Sequence, residues 1–80
     1  MNNRKIVERL NNELDAIGVP SLMTERVQVC SKLFKMPRFK IEALLVNGSF
    51  SDVNSIEKIA QELEVERDWL LGTSASKKHH

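Results

Sequence analysis

The segment Thr24–Gly48 limits the possible folds more than any other part of the chain, because two short apolar periods meet at one break and end at another. Val27, Cys30, Leu33 and Phe34 recur at spacings that gather them on one helical face, and Ile41, Leu44 and Leu45 do the same further on. Between them the turn falls around Lys35-Met36. Pro37 suits a first helical position, where its missing N–H would have been unpaired anyway. The spacing therefore predicts a helix from Thr24, a tight turn, and a second helix from Pro37 to about Leu45 or Val46. Asn47-Gly48 supplies the stop, since these residues most easily enter the left-handed conformation that closes a helix. Two helices joined in this way can present the second one to the DNA major groove.

Length decides how much else can be built. Eighty residues make one domain with a thin core, so a cleft walled by two layers is not expected. An apolar share of 41% and a charged share of 29% are those of an ordinary soluble globular chain, which excludes disorder and coiled coils. The net charge of +1 means that any positive footprint must come from local clustering. Cys30, the single cysteine, allows no internal disulfide and reads as a small buried hydrophobe in a reduced setting. Asn2-Asn3-Arg4-Lys5 leads into an amphipathic stretch rather than a signal peptide, and no apolar run has the length of a membrane span. A cytoplasmic location is expected.

The rest of the chain also reads as helices. Asn2 or Asn3 can cap a first helix whose stripe is Ile6, Val7, Leu10, Leu14 and Ile17, with Arg4, Glu8, Asn11, Asn12 and Asp15 facing outward. Gly18-Val19-Pro20-Ser21 breaks it. After the loop Ser49-Phe50-Ser51, Asp52 can cap a fourth helix with the stripe Val53, Ile56, Ile59, Ala60 and Leu63. Glu64-Val65-Glu66 forms a joint before a single turn carrying Trp69, Leu70 and Leu71, closed by Gly72. Trp69 reads as a core anchor. The folded domain is expected to span 1–72, followed by a mobile tail, 73–80, whose His79-His80 resembles a tag remnant. No strand-like alternation and no internal repeat are present.

Three segments, SKLFKMPRFKIEALLVNG, NGSFSD and IEKIAQELEVERDWLLG, resemble the helix-turn-helix DNA-binding domain of the Cro and phage-repressor family. The likeness extends over roughly Ile6 to Gly72, and the last segment is its most specific part. It implies a compact all-α, five-helix repressor-like domain with a central helix-turn-helix, acting in a bacterium or phage as a nucleoid-associated regulator. The sequence departs from the family pattern at three positions. Ser31 stands where the family usually has alanine, Lys35 where it favours a turn glycine, and Asn47 where it places glycine after the recognition helix. Lys35 would then have to accept a strained left-handed backbone, or the turn would have to adjust.

On this reading the exposed side of the second motif helix meets base edges. Arg38 in its first turn suits guanine O6 and N7, Phe39 a thymine methyl, and Glu42 a cytosine amino group, with Ala43 beside them. The start of the helix at Thr24, with Arg26 and Gln28 near it, suits a phosphate. Lys32, Lys35, Arg38 and Lys40 crowd a stretch with no acid among them. Lys35 and Lys40 suit the DNA backbone, and the resemblance adds backbone contacts at Asn47 and Ser49. Val65, Leu70 and Leu71 are candidates for a dimer contact that would let two recognition helices read a palindromic operator. Catalysis is not expected: the histidines lie only in the tail, there is no phosphate-cradling loop, no Cys and His cluster for a metal, and the carboxylates mostly face outward. Neither a cofactor nor a small-molecule substrate is implied. The rival reading keeps the fold but turns the same surface to a protein partner, such as a toxin or another regulator, as Phe39 and Glu42 would allow.

Overall fold

The computed structural model describes residues 3–75, so the alternative cap Asn2 and the segment 76–80 with His79-His80 lie outside the described residues. Five helical elements fold into an all-α globule with extents of 29 × 27 × 20 Å. Helix α1, Arg4–Ala16, opens on extended Asn3, whose Oδ1 accepts the Ile6 N–H at 3.2 Å. Ile6, Leu10 and Leu14 bury its inner stripe. Ile17 falls outside it: the helix ends at Ala16, so Ile17 leaves the helical phase and is 56% exposed.

Helix α2, Met23–Phe34, begins one residue before the expected Thr24 and has no side-chain cap. Val27, Cys30 and Phe34 are buried, but Leu33 is turned about 100° from Phe34 and remains exposed. Lys35 takes the left-handed conformation at φ 55, ψ 50, and the turn is fastened rather than relaxed. Ser31 O accepts the N–H groups of Lys35 and Met36, and Ser31 Oγ donates to Met36 O at 2.7 Å. A serine at this position therefore supplies a bond that alanine could not.

Helix α3, Arg38–Glu42, continues into a wider π turn, Ala43–Asn47. Pro37 is the residue before the helix rather than its first member, because its ψ of 145 is extended. The ring fixes φ alone, so helical dihedrals begin at Arg38. Ile41, Leu44 and Leu45 all point inward. Gly48, at φ 68, ends the element, and the N–H groups of Gly48 and Ser49 return to Leu44 O and Ala43 O at 3.0 and 3.1 Å.

Helix α4, Val53–Leu63, is capped by Asp52 Oδ1, which accepts the Ser55 N–H at 2.9 Å. Ile56, Ile59 and Ala60 bury, whereas Val53 lies in the first turn, ahead of the packed face, and is exposed. After left-handed Glu64, helix α5, Arg67–Leu71, closes on Gly72. Val65 and Leu70 are each 2% exposed and belong to the core of their own chain. They are therefore unavailable as the dimer contact expected of them, and Leu71 also packs against that core.

The folded part does not stop at Gly72. The N–H and Oγ1 of Thr73 donate to Asp68 O at 2.9 and 3.2 Å, and Arg9 donates to Ser74 O at 3.1 Å. Arg9 also donates to Trp69 O and lies 4.8 Å from the centre of the Trp69 ring. Trp69 is thus half-buried, an edge of the core held by α1 rather than its centre.

Candidate nucleic-acid interface

Helices α2 and α3 are adjacent around the Lys35 turn, and the residues expected to act on DNA are mostly on their solvent side. Arg38, Glu42, Lys35, Thr24 and Asn47 are exposed, while Lys40, Ala43 and Ser49 are half-buried. Phe39 is 70% exposed, the most exposed large apolar side chain among the described residues. Lys32, Lys35, Arg38 and Lys40 form no ion pair among the described residues, where the pairs are Arg26–Asp15 and Arg67–Asp68. Their charges are therefore uncompensated by any ion pair among the described residues. No side chain caps α2 or α3, so the N–H groups that start both helices remain available to an acceptor.

Arg26 corrects the expected phosphate set. It is 3% exposed, and each of its five N–H donors is used inside the chain. Nε donates to Pro20 O at 2.8 Å; Nη1 to Asn11 O and Asn11 Oδ1 at 3.2 and 2.9 Å; Nη2 to Val19 O at 3.0 Å and to Asp15 Oδ1. Asn11, expected to face solvent, passes the connection on, because its Nδ2 donates to Val7 O at 2.8 Å and Leu45 O at 3.1 Å. A phosphate contact is thereby replaced by a brace that links α2, α1 and the turn ending α3. A signal was present in the sequence: Arg26 lies four and eight residues before Cys30 and Phe34, on the buried side of α2.

Beside Phe39 the surface is not flat. Met36, Phe39, Ala43, Leu44 and Phe50, with Lys40 at the edge, line an open and mainly apolar groove of about 250 Å³ between α3, the following loop and the start of α4. Nothing in the sequence spacing placed Phe50 opposite Phe39, since a loop of irregular backbone sets that distance.

No family model, curated protein or solved structure matches this chain. Among the described residues no group of three His, Cys, Asp or Glu side chains could hold a metal ion, and no helix is long and apolar enough to cross a membrane.

The Cys30 thiol is free and fully buried. Burial pushes its pKa from 9.0 up to about 11, against a smaller opposing effect of the Arg26 charge. The folded-state value lies above the unfolded one, so this stabilising contribution is complete below about pH 9 and is lost as pH rises through about 11. At about 1.4 kcal/mol per unit, roughly 2–3 kcal/mol should be lost. Urea titrations at about pH 8 and about pH 11 should show that loss for wild type and little of it for Cys30→Ala. Equal alkaline losses in both proteins would rule out Cys30 as the cause.

Proposed function

We propose that the chain is a sequence-specific DNA-binding regulator, a repressor of the helix-turn-helix type that reads a palindromic operator as a dimer. The observation that supports this most is the unpaired basic cluster Lys35, Arg38 and Lys40 on the turn and first turn of a short helix with an exposed outer face. Its resemblance to the Cro and phage-repressor family agrees with that placement. In this reading Arg38 and Phe39 meet base edges, Glu42 and Ala43 flank them, and Thr24, Lys35, Lys40, Asn47 and Ser49 serve the phosphates. One chain carries one such helix, so reading both half-sites of a palindrome, roughly 34 Å apart, takes two copies.

Operators selected from a random DNA pool provide the test. Arg38→Ala should lose about 1–3 kcal/mol of affinity for the selected site and relax preference at one base pair. Wild-type affinity should fall with salt at a slope of about 0.9 per phosphate neutralised. Equal binding to all sequences by both proteins would reject base reading by α3.

The groove beside Phe39 favours a second reading, in which this face holds an apolar side chain of a protein partner. Flat base edges leave such a recess largely unfilled. Affinity for a protein partner seated there should hardly respond to salt, while Phe39→Ser should weaken it strongly.

A further inference from the structure

A lateral face of α2, between its buried side and its outermost residues, carries a pattern that neither the core nor α3 uses. Leu22, Val29 and Leu33 are 61%, 38% and 38% exposed. They are spaced by seven and four residues, so at about 100° per residue they fall within roughly 40° of arc. Leu22 extends the line from the cap, where its carbonyl accepts the Arg26 N–H at 2.8 Å. Glu25 and Lys32, both exposed, lie on the same flank of this line. About 10 Å separates them along the axis, too far to pair with each other, and neither has an ion pair among the described residues.

We propose that this face pairs with the same face of a second copy of the chain, the two α2 helices running antiparallel about a two-fold axis near Gln28-Val29. In that arrangement Glu25 faces the partner's Lys32, and Lys32 faces the partner's Glu25. Val29 meets its own copy across the axis, and Leu33 falls within one turn of the partner's Leu22. A two-fold axis perpendicular to both helices keeps the same flank on the same side, so both ion pairs form together. A parallel pairing instead sets Glu25 against Glu25 and Lys32 against Lys32, so charge decides the direction. Helix axes about 8–10 Å apart leave Glu and Lys side chains within reach of each other.

The stripe is complementary to itself in the sign of its flanking charges, Glu25 and Lys32, and that identifies a second copy as its occupant. One helix pair covers less than the ~800 Å² per partner of a standard interface, so association is weak. The contact takes the place of the one expected at Val65 and Leu70, whose side chains are in the core. The pairing needs no DNA, so a chain that fails to pair on its own leaves base reading by α3 standing, and loss of base reading leaves the pairing standing.

Sedimentation equilibrium from about 10 μM to about 1 mM, with helical circular dichroism as the folding control, tests the pairing. Wild type should rise from monomer toward dimer mass. Glu25→Lys and Lys32→Glu should each weaken association by about tenfold or more, because each puts like charges across the axis. An equimolar mixture of the two variants should recover wild-type association, since every facing pair is opposite again. The double variant E25K/K32E should recover it alone. Val29→Cys should form a disulfide-linked dimer under mild oxidation, whereas buried Cys30 in wild type should not. A wild-type chain monomeric throughout the range, or single variants whose mixture shows no recovery, overturns the proposal.

Discussion

Replacing Gly48 by alanine is expected to cost roughly 3–5 kcal/mol, enough to unfold much of a marginally stable small domain. Two costs add. Gly48 holds φ at +68, a conformation worth about 1–2 kcal/mol against any residue with a Cβ. A Cβ there would also lie 2.0 Å from Asn3 O, 2.8 Å from Asn3 C and 2.9 Å from Asn3 N. These are backbone atoms at the cap of α1, held further by Asn3 Nδ2, which donates to Leu71 O at 2.9 Å. They cannot swing away as a side chain would, so the end of α3 or the start of α1 must move. Gly18 provides the comparison, with φ at +87 but nothing within 4 Å of its would-be Cβ. Gly18→Ala should therefore show the conformational cost alone. Urea midpoints of both variants check this, and equal losses would mean that the approach to Asn3 costs nothing.

Arg26→Met is expected to cost about 3 kcal/mol, although it replaces a buried charge by an apolar chain. The methionine follows the aliphatic stem but leaves the guanidinium's space empty and the carbonyls of Asn11, Val19 and Pro20 without the donors that now satisfy them. Arg26→Lys should recover little, because an ammonium has three donors and no planar fork to reach partners on two segments. The ion pair itself contributes less. The Asp15 side chain is 58% exposed, so Asp15→Asn should cost about 1 kcal/mol or less. An Asp15 variant as damaging as the Arg26 variant would show that charge, rather than carbonyl satisfaction, is what Arg26 supplies. Because Asn11 passes the brace on to Leu45 O, the Arg26 variant should also loosen the end of α3, read as faster amide exchange around Val46–Gly48.

Local rules held where the energetics are local. Asn3 and Asp52 cap the helices that follow them through bonds spanning three residues, and Lys35 accepts the left-handed backbone rather than adjusting the turn. The Ile6, Leu10, Leu14 stripe and the Ile41, Leu44, Leu45 face bury as their spacing predicts. They failed at element ends, where Ile17 and Val53 match the stripe in number but lie beyond the packed surface. In the candidate site, exposure of Arg38, Phe39 and Glu42 followed from helical phase alone, while the groove between Phe39 and Phe50 required the loop path.

By itself the sequence determined the helices, the break at Lys35-Met36, the glycine stop at Gly48 and a basic segment without acids, because each depends on residues within about two turns of one another. Tertiary structure alone decided that Arg26 is a buried brace rather than a phosphate contact, that Asn11 faces inward, and that Val65 and Leu70 close the core instead of a dimer. The reason is one of range: helical phase says which side of its own helix a residue occupies. Whether that side meets water or a neighbour's carbonyl oxygens depends on how distant segments pack.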